Sequence, residues 1–394
     1  MSQLLNERWS ETKEALLEGL SGNRRASMSV CLENTRRYLG ESATAGATSS
    51  GNIATLNRVI LPVIRRVMPT VIANEIIGVQ PMTGPVAQIH TLRVRYADTS
   101  AGDGVVAGDE ALSPFKIAAG YSGNNDSVTS PKANTTSALE GQPGKRMSIQ
   151  ILKAPVEAKS RKLSARWTFE AAQDAQAQQG IDIEAEIMAA LAQEITAEID
   201  QEILTSLRGL ATVEQTYDQA LVSGTATFVG DEHAALAIQI NRVSNSIAQR
   251  TRRGAGNWAV VSNQALTILQ SATTSAFART TEGTFEAPTN TKFVGTLNGA
   301  MKIYVDSYKS DDDDNNQILI GYKGTSEADA PAFYCPYIPL MSSGVVLDPN
   351  TFEPVVGFLT RYGYVELSNT ASSLGNAADY LGKVAITSAN VSFK

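Results

Sequence analysis

The spacing of apolar positions divides the chain into a helical beginning, a polar excursion, one long helix and a mixed second half. NERWSETKEALLEGL and SVCLENTRRYLG both read as short amphipathic helices, with Trp9, Leu16, Leu17 and Leu20 on one side. SATAGATSSGN, Ser42 to Asn52, is small, polar and aperiodic, which is linker chemistry, so residues 1–41 are expected to be separable from the body. The body opens with VILPVIRRVMPTVIANEIIGVQPM, from Val59 to Met82. Pro62 suits the first turn of a helix that begins near Leu61, whereas Pro69 should interrupt or kink it.

IHTLRVRYA, from Ile89, alternates as a strand should. From Ala97 to Met147 there are seven Gly and three Pro and almost no aromatic anchor, so this segment is expected to project and to need a partner surface. SIQILKAPVEAKS alternates again, as the chain returns. Trp167 to Leu207 carries the strongest helical signal, with an interruption expected near Gly180. Its apolar residues Ile183, Ile187, Leu191, Ile195, Ile199, Ile203 and Leu207 recur every four positions, a step of about 400° that winds slowly around the helix. Met188 and Leu204 widen the stripe.

After Thr225 helix and strand patterns alternate. DEHAALAIQINRVSNSIAQR and QALTILQSA read as helices, and NWAVVSN as a short buried strand. MKIYVDSY and NQILIGYK read as strands joined by the polar SYKSDDDDNNQ, whose centre, Asp311 to Asp314, is expected to be a solvated hairpin tip. FYCPYIPL, PVVGFLTRYGYVEL and KVAITSANVSF add further strands, and the mixture implies an α+β fold.

Composition narrows the function. With 33 Lys+Arg against 40 Asp+Glu, the chain does not have the balance of a dedicated nucleic-acid reader. Cys31 and Cys335 cannot supply a disulfide framework or a cysteine-based zinc site, and a reducing compartment is the simplest setting. The charged N-terminus does not read as a signal peptide, and Arg65 and Arg66 break the most apolar run, so no membrane partner is expected.

No catalytic, cofactor-binding or metal-ligating residues are expected. His90 and His233 are the only histidines, and neither stands in HExxH or beside a nucleophile motif. GQPGKR, from Gly141, has the wrong spacing for a phosphate loop and Arg146 where a hydroxyl is needed. RRGAGNW, from Arg252, lacks a third glycine and reads as a turn between helix and strand. Counted from Asp311, a calcium loop would need glycine and glutamate where Asn316 and Tyr322 stand. Glu186, Glu194, Glu198 and Glu202 lie near one face of the long helix without the Glu-x-x-His partners of a metal bundle, so a solvated or inter-subunit face is expected.

Seven segments in one order carry a resemblance: LPVIRRVMPTVIANEIIGVQPMTGP, TLRVRY, VEAKSRKLSARWTFEAAQD, QRTRRGAGNWAVVS, ILIGYKG, FYCPYIPL and FEPVVGFLTRYG. Together, from about Asn57 to Tyr364, they resemble the major capsid proteins of T-even-type tailed phages. The resemblance implies an α+β, HK97-like fold and a structural role in a virion head assembled in the host cytoplasm, not an enzyme. The paralogous pentameric vertex protein and an encapsulin-like compartment shell are the alternatives.

Its implied organisation is an N-terminal segment (1–41), a flexible arm (42–58), an entering helix (59–89) and an extended loop over a neighbour (90–153). A peripheral domain with a spine helix (154–227), an axial domain (228–340) and strands returning to the peripheral domain (341–394) complete it. The 51 residues from Ala97 to Met147 are too few for the globular insertion of longer relatives. Implied partners are further copies of the chain, vertex or portal, scaffold, a prohead protease and non-specific packaged DNA on the inner face. The protease pattern, Leu/Ile-x-Glu, occurs at Leu5-Asn6-Glu7, Leu16-Leu17-Glu18 and Leu39-Gly40-Glu41, and the bond between Glu41 and Ser42 is the best candidate. Arg65, Arg66, Arg252 and Arg253 are candidate inter-subunit partners for Glu194, Glu198 and Glu202.

Overall fold

The computed structural model describes residues 9–10, 13–18, 20, 22–44, 71–100, 102, 104–109, 111, 120–124, 133–180, 182–218, 229–251, 253–271, 277–279, 292–306, 317–325, 329–351, 353–367 and 377–388. Pro62, Arg65, Arg66, Pro69, Arg252 and Asp311 to Asp314 lie outside these residues.

The expected long helix divides where glycine permits it. A first helix runs Phe169–Gln179 and ends on Gly180, whose φ of 67° is left-handed and favours residues without a Cβ. A second runs Ile183–Leu210. Asp182 caps its first turn, its Oδ1 accepting from the Glu184 backbone N–H at 3.1 Å, and Arg208 complements the dipole in its last turn. In chain order the helices include α1 (Gly22–Thr44), α2 (Ala73–Ile76), α3 (Thr136–Leu139), α4 (Phe169–Gln179), α5 (Ile183–Leu210), α6 (Val229–Thr251) and α7 (Asn263–Ser271), and residues 13–17 are also helical. The apolar stripe of α5 deepens along its length. Ile183, Ile187 and Leu191 are half-buried, whereas Ile195, Ile199, Ile203 and Leu207 are buried in the main core.

Two sheets and a ribbon organise the rest. The four-stranded sheet has the order β1 (Gly78–Val79), β11 (Ala332–Leu347), β12 (Pro354–Glu366), β4 (Lys159–Arg166). The seven-stranded sheet has the order β5 (Val213–Asp218), β13 (Leu381–Ser388), β10 (Gln317–Gly321), β6 (Trp258–Val261), β9 (Met301–Val305), β8 (Lys292–Leu297), β7 (Phe277–Arg279). Among the described residues β2 (Val86–Tyr96) and β3 (Met147–Glu157) pair only with each other.

The seven-stranded sheet separates two cores, and its strands alternate between them. Ala259, Val261, Ile303, Ile318 and Ile320 pack with Leu236, Ile240, Val243 and Ile247 of α6 and with Ile268 of α7. Trp258, Val260, Tyr304 and Leu319 instead join Ile195, Ile199, Ile203 and Leu207 of α5. A sheet covered on both faces accounts for the unbroken apolar WAVV of β6.

Several expectations are corrected. MKIYVDSY and NQILIGYK are not a hairpin, because β6 lies between β9 and β10 and pairs with both. The C-terminal strand β13 does not return to the four-stranded sheet; it lies between β5 and β10 of the other sheet. Conversely β11, begun before residue 340, belongs to the four-stranded sheet with β12, and β5, expected in the peripheral part, joins the seven-stranded sheet. Alternation in a strand specifies a buried face and leaves its neighbours unspecified, so these assignments needed long-range pairing.

The N-terminal segment also differs. α1 continues into the first three residues of the expected linker, to Thr44, so the Glu41–Ser42 bond lies in its last turn. Nor is the segment separate: Leu16, Leu17, Met28, Cys31 and Leu32 are buried in one cluster with Ile76, Ile77, Tyr334 and Leu340. Asn34 Nδ2 donates to the carbonyls of Met82 (2.7 Å) and Tyr337 (3.1 Å), stitching α1 to the edge of the four-stranded sheet.

Candidate assembly surfaces

β2 and β3 pair in register from Val86↔Glu157 to Tyr96↔Met147, which makes a ribbon roughly 35 Å long at about 3.4 Å per residue. Directly paired residues share a face. One face therefore carries Tyr96 with Met147, Val94 with Ile149, and His90 with Lys153, and Ile151 lies between Ile149 and Lys153 on it. The other carries Arg95 with Ser148, and Gln150. On the apolar face Met147, Ile149 and Ile151 are 55%, 69% and 60% exposed. A two-stranded ribbon is marginal alone, and a row of open aliphatic side chains on it marks a surface that something else covers.

Both ends of the ribbon are anchored. At its base Val156 packs with Met82, Phe333 and Cys335, and the Ala158 N–H donates to the Pro85 carbonyl at 2.8 Å. At its tip the excursion forms a small core of its own, contrary to expectation, from Tyr96, Val105, Ala111 and Tyr121. Tyr96 and Tyr121 meet with ring centroids 4.5 Å apart, and the Tyr121 hydroxyl donates to the Arg146 carbonyl at 2.5 Å. Arg146 also pairs with Asp98 at 3.1 Å, and its hydrogen bonds hold that carboxyl below the usual carboxylate range. Arg146, an obstacle to phosphate binding in the sequence, closes the ribbon tip.

Half of the acidic face of α5, Glu198 and Glu202, is engaged within the chain, while Glu186 and Glu194 are exposed. Arg161, on β4, donates to Glu198 at 2.7 Å, to Glu202 at 2.5 Å and, through Nε, to the Tyr362 hydroxyl at 2.6 Å. The Tyr362 hydroxyl in turn donates to Glu202. Burial acts to raise the Glu202 carboxyl, but the bonds from Tyr362 and Arg161 outweigh it and leave its pKa lowered. Glu194 is exposed one turn away. Arg253 is likewise held in its own chain, by Asp329 at 2.5 Å. Of the named residues, Arg253, Glu198 and Glu202 thus have intrachain partners that sequence spacing could not reveal.

Three further carboxylates, Glu75, Asp200 and Asp306, tie the layers together. Glu75 of α2 meets Arg24 of α1, Lys302 at 3.4 Å and the Tyr304 hydroxyl at 3.2 Å, so it joins the N-terminal helix to the seven-stranded sheet. Asp200 of α5 accepts from the Ile72 backbone N–H at 2.9 Å. Beside it Asp306 is fully buried and accepts from Gln201 at 2.7 Å and Arg208 at 2.8 Å.

Catalytic chemistry is not assembled around the histidines. His233 Nδ1 lies 2.5 Å from Ser271 Oγ, but that hydroxyl donates to the Ile268 carbonyl, so the contact tethers α6 to the end of α7. Cys31 and Cys335 are buried, and burial pushes both thiols up to about 12, away from nucleophilic use. Among the described residues no cluster of His, Cys, Asp and Glu could hold a metal, and no helix is long and apolar enough to cross a membrane.

Comparison with known proteins bears on these surfaces. Residues 53–141 and 131–386 match the family model described as major capsid protein Gp23. The chain is 30% identical to the major capsid protein of Vibrio phage KVP40, across 85% of this chain and 81% of that one. It is 29% identical to the major capsid protein of Enterobacteria phage T4, across 83% and 78% respectively. Among solved structures, the capsid of Myoviridae phage XM1 aligns with a TM-score of 0.44 and 10% identity, covering 78% of this chain and 89% of that one.

Proposed function

Because the chain belongs to the Gp23 family of major capsid proteins and builds the head shell of a tailed phage by self-association, we propose that the β2–β3 ribbon is its principal inter-subunit arm. The observation that carries this reading is the exposed row Met147, Ile149 and Ile151 on a ribbon anchored at both ends. Full burial of an aliphatic side chain contributes about 1.5–3 kcal/mol. An anchored ribbon has already met part of the ordering entropy that binding would otherwise cost. Repeated around a closed shell, modest contacts of this kind add up.

The test is a double substitution on the open face, Ile149→Asp with Ile151→Asp. The purified chain should keep its melting temperature, because neither side chain packs in a core, but should fail to form shells in electron micrographs. Shells of normal size and yield from this variant would refute the assignment.

The same reading organises the chain into a peripheral part, built from α5 and the four-stranded sheet, and an axial part built on the seven-stranded sheet. In this family the vertex-protein and compartment-shell alternatives are not favoured. The role is structural and involves no catalytic step or cofactor. Vertex or portal, scaffold and prohead protease are its proposed partners, with packaged DNA against the inner face. Arg65, Arg66, Arg252 and Glu194 remain proposed inter-subunit charges.

Cleavage after Glu41 is proposed as the maturation step. The bond follows Gly40, a weak helix former, in the last turn of α1, where local opening costs little. Loss of residues 1–41 would withdraw Leu16, Leu17, Met28, Cys31 and Leu32 from the core, so the uncovered surface must find new cover in the shell. The intact mass of the chain from mature heads tests this: a species beginning at Ser42 is expected, and one beginning at Met1 would refute it.

A further inference from the structure

Glu75 stands on a fixed mount. Its one-turn helix, α2, buries Ala73 and Ile76 completely, and β1, which follows, pairs with β11 of the four-stranded sheet. The Ile72 N–H is held by Asp200 of α5 at 2.9 Å, and the Asn74 carbonyl accepts from Lys323 Nζ at 2.9 Å. Backbone bonds and buried side chains therefore fix where the Glu75 side chain begins. Only its carboxylate is left to divide itself between partners.

Those partners stand on two different elements, one for each oxygen. Oε1 is in direct contact with the Arg24 guanidinium of α1. Oε2 faces β9, where it accepts from the Tyr304 hydroxyl at 3.2 Å and from Lys302 Nζ at 3.4 Å. Charge-assisted bonds of these kinds normally close to about 2.5–2.9 Å, so both β9 contacts are long. The carboxylate sits with α1 and only reaches towards the seven-stranded sheet. Burial pushes the Tyr304 phenol up to about 12 and the Arg24 charge opposes the rise, so this guanidinium acts on both members of the contact.

We infer that Arg24 competes with Lys302 and Tyr304 for Glu75, and that withdrawal of the N-terminal segment transfers this carboxylate from α1 to β9. After the transfer two closed bonds replace two long ones. They run from β9 to a mount that belongs, through β1, to the four-stranded sheet. Residues 22–41 thus keep the joint between the two sheets slack, and their loss tightens it irreversibly, because Arg24 does not return. The inference rests on the reading that the chain is cut after Glu41, and it adds what that cut does inside the folded body. The Arg24, Glu75 and Lys302 side chains are 43%, 30% and 56% exposed, so each transfer is small. A shell repeats it in every copy.

The experiment isolates the competition in the full chain, without cleavage. Urea unfolding of Glu75→Gln, Lys302→Met and the double variant gives the coupling between the two residues. It is measured first beside Arg24 and then in an Arg24→Gln background, where Asn34, Cys31 and Leu32 still anchor α1. Removing the guanidinium should raise the coupling to about two- to five-fold in the unfolding constant, the range of a partly exposed ion pair. Arg24→Lys should leave the coupling weak, because the competing charge is kept.

A coupling that is unchanged or weaker without Arg24 overturns the competition, and the cut after Glu41 then stands without this consequence. Mature heads whose chain begins at Met1 refute the cut, and with it the transfer on maturation, whatever the coupling.

Discussion

The backbone N–H of Ile72 donates to Asp200 Oδ1 at 2.9 Å, where the chain enters its folded body against the middle of α5. Asp200 is 1% exposed, and its second oxygen, Oδ2, has no hydrogen-bond partner among the described residues. Burial pushes this carboxyl up to about 7; the Ile72 bond opposes the rise, and the neighbouring Asp306 adds to it. Gln201 and Arg208 are committed to Asp306, and the buried Tyr334 hydroxyl interacts electrostatically with Asp200.

A pH dependence follows. The folded pKa lies above the ordinary value of 3.8, so the folded chain holds a proton that the unfolded chain has lost. Stability is therefore greatest below about pH 4 for this group and declines as pH rises through about 7, by on the order of 4 kcal/mol. Asp200→Asn keeps an oxygen for Ile72 and removes the titration. Its melting temperature, relative to the native chain, should rise between about pH 4 and pH 7 and level off above that. A constant difference across that range would contradict the assignment.

Tyr362→Phe removes a hydroxyl that accepts from Arg161 and donates to Glu202. Both partners are about one-third exposed, so solvent recovers part of the loss. The expected cost is about 1–2 kcal/mol in urea unfolding. Because Glu202 is held below its ordinary pKa, its contribution is present above about pH 4.5 and disappears as pH falls through the lowered value. The cost of Tyr362→Phe should shrink with it in acid.

Gly321→Ala places a Cβ inside the contact surface of the Trp258 indole, which lies directly opposite on β6. The indole is 2% exposed and closely packed, so it cannot swing away without opening the core shared with α5. Overpacking of this kind costs about 1–3 kcal/mol, and a corresponding fall in melting temperature is expected.

Asn34→Ala withdraws the donor shared by the Met82 and Tyr337 carbonyls and should cost about 1–3 kcal/mol. Thiol labelling reads the same contact directly. Cys31 lies on α1 and Cys335 on β11 beneath it, and both are buried in the native chain. Neither should react with a maleimide at neutral pH in the native protein. In Asn34→Ala labelling of both should accelerate together as α1 lifts. Rapid labelling of the native chain would contradict the docked position of α1.

Local chemistry determined a large share of this protein. The four-residue apolar step and the break at Gly180 specify a two-part helix, because helical period and a left-handed cap are properties of neighbouring residues. Alternation in SIQILK already contained the open face of the ribbon, since period two places Ile149 and Ile151 on one side. The ordered segments were enough for the family. What local pattern could not specify was the partner. The same alternation would fit β13 to either sheet, and its place between β5 and β10 was decided by pairing across more than 50 residues. Glu198 and Glu202 read as a free acidic face until β4 brought Arg161 against them. α1 read as separable because its covering surface, from Ile76 to Leu340, is assembled from distant parts of the chain. A sequence records which side of each element avoids water; only the folded chain decides what covers that side, because closing those long loops is favourable only when all the contacts form together.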